Sequence, residues 1–120
     1  MAHPTPFNLL VKHAGLSLTE ASLYLATPLD TVKSWSTGRS PAPAGALEHL
    51  GTLITRQILA AQDILVTQAG ADKIMIECPA SFDEAVAMGW PCHGAFVAMA
   101  ARVIAAAPVT TGFIDYQPAC

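Results

Sequence analysis

The chain has 120 residues, 52% of them hydrophobic and only 12% charged, with a formal net charge of −3. That length bounds it to one compact unit or one small domain plus an oligomerisation region, and so apolar a balance implies surface buried against a second copy. No stretch reaches the roughly 18–20 apolar residues of a membrane-spanning helix, and no charged segment followed by an apolar core opens the chain as in a secretory leader, so a cytoplasmic protein with no membrane partner is expected.

Pro6 suits the first turn of a helix over residues 6–14, in which Phe7, Leu10 and Val11 recur at helical spacing and which Gly15 ends; residues 1–5 read as frayed. Ser17-Leu18-Thr19-Glu20 spells a capping box: the serine hydroxyl accepts from the glutamate amide while the carboxylate reaches back. It opens a short helix to residue 25 with Ala21, Tyr24 and Leu25 facing inward. Thr27-Pro28 predicts another start, with Thr27 as cap and Pro28 in the first helical position. In that third helix Val32 and Trp35 point inward, Asp30, Lys33 and Ser34 point elsewhere, and Thr37-Gly38 stops it. Ser40-Pro41-Ala42-Pro43 is a stiff connector.

A long helix is predicted over 43–69 with an apolar stripe of Leu47, Leu50, Ile54, Ile58, Ala61 and Leu65. Glu48, Arg56, Gln57, Gln62 and Asp63 fill its other side, and Gly70 caps it. The character then changes. Lys73 to Cys78 reads as a strand, Ser81-Phe82-Asp83-Glu84 as a second capping box opening a helix that ends near Gly89, 93–107 as a helix rich in small residues, and 111–116 as a second strand. Two strands must pair, within the chain or across a dimer, because a lone strand leaves its backbone groups unmet.

Three short helices joined by tight turns, with a small residue in the second and two apolar anchors in the third, are the pattern that lets a third helix protrude. The residues that carry it, Leu16-Ser17-x-x-Glu20-Ala21-x-x-x-Leu25-Ala26-x-x-x-x-Thr31-Val32-x-x-Trp35-x-x-Gly38-Arg39, resemble the Cro/repressor (XRE-type) helix-turn-helix without gaps. Within that class, Trp35-Ser36-Thr37-Gly38-Arg39-Ser40-Pro41-Ala42-Pro43 is similar to the W-x-x-G-R-x-x-P segment of the YdiL-like and anti-CRISPR-associated regulators. The resemblance implies a mainly α fold: an N-terminal helix-turn-helix bundle over 1–69, followed by a small α+β dimerisation region over 70–120. It implies a homodimer that binds an inverted repeat in double-stranded DNA, usually as a repressor. Position by position, it assigns base reading to Leu29, Asp30 and Ser34 with Lys33 adjacent, and phosphate contact to Leu18, Thr37, Arg39 and Ser40.

The chemistry of those residues is unusual for the task. Leu29 packs on a thymine methyl rather than hydrogen bonding, and Asp30 suits a cytosine amino group. Residues 1–50 hold three bases (Lys12, Lys33, Arg39) against three acids (Glu20, Asp30, Glu48), so useful affinity calls for two copies acting together. RNA is open to the same surface, since phosphate attraction does not separate the two nucleic acids. The acidic balance and apolar content support a second reading, a protein-interaction module such as an antitoxin or accessory subunit. The region after residue 70 reads either as a dimerisation module or as a ligand or partner sensor; Phe96, Val97, Met99, Ala100, Val103 and Ile104 form a stripe wide enough for its own core and a second copy. Cys78, Cys92 and Cys120 are too few and too far apart for a disulfide framework. Cys92-His93 lacks the local ligand pairs of a zinc site, so neither a metal, a cofactor nor an enzyme is expected.

Overall fold

Each short helix begins where a side chain meets an otherwise unmet backbone amide. In the computed structural model, which describes residues 3–117, the Thr5 hydroxyl accepts from the Asn8 amide and opens α1 (Pro6–His13). Thr5, expected to fray, is therefore a cap. Ser17 and Glu20 form both halves of the expected capping box at the start of α2 (Leu18–Tyr24), at 3.1 and 2.9 Å. The next start departs from expectation. Pro28 is itself the N-cap of α3 (Leu29–Thr37), with no side-chain cap bond. The Thr27 hydroxyl instead donates back to the Leu25 carbonyl at 3.0 Å, because Ala26 adopts a left-handed φ of 51° and folds the chain on itself before Pro28. Ser22 locks this turn by donating to the Thr27 carbonyl at 2.6 Å.

Helix α4 (Ala44–Thr67) follows the Pro-rich connector, and then come β1 (Lys73–Cys78), α5 (Phe82–Ala87), α6 (His93–Ala106) and β2 (Thr110–Asp115). The described chain is thus mainly helical, with a small two-stranded sheet. It divides into two compact units, Met1–Thr55 and Arg56–Cys120. The division falls inside α4, whereas the sequence pattern sets it after residue 69, because residues late in α4 bond to the second unit: Arg56 donates to the Gly89 carbonyl and Gln57 to that of Ala95.

The first unit buries Phe7, Val11, Ala21 and Val32 from the three short helices, with Leu50, Leu53 and Ile54 from α4. Trp35 is half-buried and meets Phe7 edge-on, with ring centroids 5.4 Å apart.

In the second unit the expected stripe of α4 is rotated. Gln57 is fully buried and Ile58 is 38% exposed, the reverse of expectation. At about 100° per residue, Gln57 lies about 20° from Leu50 around the helix and Ile58 about 80°. Helix geometry selects the glutamine, and a hydrogen bond of 3.1 Å to the Ala95 carbonyl makes its burial tolerable. Helix α6 buries Phe96, Met99, Ala100 and Val103 but leaves Val97 and Ile104 about half exposed. The two strands pair within the chain, in parallel, with Ile74 opposite Thr111 and Ile76 opposite Phe113. A parallel pair requires a long crossover, which α5 and α6 supply. The second capping box is displaced by one residue: Ser81 caps α5, but Glu84 reaches the Ala80 amide at 2.7 Å rather than that of Ser81. No helix among the described residues is long and apolar enough to cross a membrane.

Candidate nucleic-acid interface

Helix α3 has two unlike sides, and its register explains both. Val32 is fully buried and Trp35 packs on Phe7. Leu29, Asp30, Lys33, Ser34 and Thr37 share the other side at spacings of three and four residues. Asp30, Lys33 and Thr37 are exposed, and Leu29 and Ser34 are half-buried. Asp30 and Lys33 have no ion-pair or hydrogen-bond partner among the described residues. Both termini of α3 are tightly bounded: four residues, 25–28, separate it from α2, and Gly38 ends it with a φ of 86°.

Three of the sequence-predicted residues, Thr37, Arg39 and Ser40, converge on a fourth, Ser34. Its carbonyl accepts from the Thr37 hydroxyl at 3.3 Å and from the Ser40 amide at 3.3 Å. Its own hydroxyl accepts from Arg39 Nη2 at 3.0 Å. The chain therefore turns back over the end of α3, and the Arg39 guanidinium lies against the same side that carries Lys33. One N–H of a five-donor group is used, which leaves donors for a carboxylate or phosphate. Leu18 stands apart: it is half-buried at the start of α2, and its side chain offers no donor.

The inner side of α3 is fastened by residues that the sequence pattern did not single out. The Thr5 hydroxyl donates to the Ser36 carbonyl at 2.9 Å, and the Ser36 hydroxyl donates to Asn8 Oδ1 at 3.0 Å. These bonds tie the start of α1 to the end of α3. A Thr-Pro pair ahead of an apolar period is a capping pattern, and it was the available indication for Thr5. A cleft of about 320 Å³, lined by Phe7, Trp35, Pro41 and Leu47 among others, opens between α1 and the connector; its walls hold no ionisable group.

Elsewhere the chemistry is sparse. Cys92 is buried as the N-cap of α6 and Cys78 is half-buried; Cys120 lies outside the described residues. Among the described residues no three His, Cys, Asp or Glu side chains converge as metal ligands. No protein-family model matches the chain, and no curated protein matches it.

Proposed function

We propose that the chain is a dimeric, sequence-specific DNA-binding regulator, acting as a repressor by laying α3 in the major groove of an inverted-repeat operator. In this reading α2, the 25–28 turn and α3 are a helix-turn-helix. The observation that carries it is the division of α3, buried through Val32 on one side and presenting Leu29, Asp30, Lys33 and Ser34 on the other. Lys33, Asp30 and Ser34 supply hydrogen bonds to base edges, Leu29 supplies a thymine-methyl contact, and Arg39, Thr37 and Ser40 hold the backbone. The major groove is about 12 Å wide, enough to admit a helix.

The test is a fluorescence-anisotropy titration of the full chain against DNA from upstream of its own gene. Salt-sensitive binding to an inverted repeat supports the proposal; equal, weak binding to every duplex sinks it. A protein-interaction role, such as an antitoxin or accessory subunit, is favoured by one observation. Leu23, on α2, is 77% exposed and Leu9, on α1, 53%, an apolar surface that a protein would cover and a phosphate backbone would not. A stoichiometric protein partner retained without DNA would support that alternative.

A further inference from the structure

The small sheet is capped at Met75 on one edge and open on the other. A parallel strand directs alternate residues' N–H and C=O groups to opposite edges. On β1 the outward groups of Met75 are already satisfied: Gln68 Nε2 donates to the Met75 carbonyl, and the Met75 amide donates to Gln68 Oε1, both at 2.8 Å. The glutamine amide thus stands in for a neighbouring strand. The Tyr116 amide donates to the Cys78 carbonyl at 3.1 Å, which fixes the phase of β2. Even-numbered residues turn toward β1, and Thr111, Phe113 and Asp115 turn their backbone groups away from it. Among the described residues nothing pairs with that outer edge.

Edge strands that remain unpaired are blunted by lysine, proline or a bulge. Residues 110–115 contain none of these, and they expose Phe113 at 52% and Ile114 at 45%. Phe113 shares a face with Ile74 and Ile76 by register, yet those two are 2% and 1% exposed. The helical cover therefore reaches β1 and stops short of β2. A two-stranded sheet is marginal, and parallel sheets are ordinarily covered on both faces.

We infer that a second copy of this chain completes the sheet, with β2 pairing antiparallel to β2 of its partner about a two-fold axis at Phe113. The inference rests on the homodimer of the proposed function and names its seam. Two-fold self-pairing of a strand is antiparallel by symmetry, and outward groups must meet outward groups. With Phe113 on the axis, Thr111 faces the second copy's Asp115, and Gly112 faces its Ile114. The single charge of β2 then meets a hydroxyl, whereas an axis at Asp115 sets two carboxylates face to face, an arrangement that destabilises a sheet. The product is a four-stranded sheet in the order β1, β2, β2, β1, in which the two Phe113 rings are cross-strand neighbours.

Site-directed cross-linking of the full chain tests this. Paired Cα atoms at the axis lie about 5.5 Å apart, within disulfide reach, whereas two copies of Thr111 lie roughly 14 Å apart. Under mild oxidation Phe113→Cys is expected to form a 113–113 disulfide, identified by peptide mass spectrometry, and Thr111→Cys no 111–111 disulfide. By light scattering the wild type is expected at twice 12.5 kDa. Phe113→Pro, which removes an outward N–H and the ring, is expected to raise the dimer dissociation constant roughly tenfold or more while far-UV circular dichroism retains the helices. A monomeric wild type, a dimer that Phe113→Pro leaves intact, or a 111–111 cross-link without a 113–113 one overturns the inference. A dimer that binds operator DNA but never cross-links at 113 defeats the seam alone. A 113-linked dimer with no DNA affinity defeats the regulator alone.

Discussion

At Gly38 the backbone sits at a φ of 86°, and a Cβ added there would lie 3.2 Å from Thr5 Cγ2. Both strain and crowding oppose any side chain, so Gly38→Ala is expected to cost about 1–2 kcal/mol of stability, read as a lower urea midpoint with an unchanged slope. Gln57 is the other instructive residue. Its polar type placed it on the solvent side of α4, but angular position around the helix decides burial, and the bond to Ala95 depends on a neighbour 38 positions away that no local pattern reveals. Gln57→Ala leaves a cavity and removes the buried bond to the Ala95 carbonyl, and is expected to cost about 2–4 kcal/mol. If Gln57→Ala matches wild type in denaturant, the buried role assigned to Gln57 is wrong. Thr27 and Thr5 show the same limit: two Thr-Pro pairs look alike in sequence, yet only the first caps a helix, because the left-handed Ala26 redirects the second.

Elements were legible where caps and periods are local. The capping box at Ser17, the strand from Lys73 to Cys78 and the glycine-bounded helix ends all follow from residues within one or two turns. What lay beyond reach was pairing: whether the strands met within one chain depended on a crossover of two helices, and their parallel register is a long-range property. The candidate site divides the same way. Position on α3 follows from its period, whereas the convergence of Thr37, Arg39 and Ser40 on Ser34 follows from a turn after Gly38. Helix α2 carries its own test. Ala21 is fully buried, so a larger residue must push aside its neighbours. Ala21→Leu is expected to destabilise by about 1–3 kcal/mol and, in the proposed reading, to weaken DNA binding more than Leu23→Ala, which alters an exposed position.

For the whole molecule the deciding quantity is charge. A net of −3 with six Lys and Arg is a poor electrostatic footprint, so in the proposed reading DNA binding rests on a few well-placed cations used twice. Arg39 is held by Ser34, while Lys33 stands exposed with no ion-pair partner among the described residues. Arg39→Ala is expected to weaken all sequences about equally and to lower the salt slope by about 1 per protomer, whereas Lys33→Ala costs about 1–3 kcal/mol on the preferred site and relaxes its specificity. A salt series with both variants separates these outcomes. The most direct test of DNA reading by α3 is the affinity of the full chain for its upstream inverted repeat, set against a scrambled duplex at the same salt. Preference for the repeat of roughly 1000-fold or more, abolished by the double substitution Lys33→Ala, Ser34→Ala, is the expected result. Equal affinity for both duplexes, or a preference unmoved by that substitution, contradicts it.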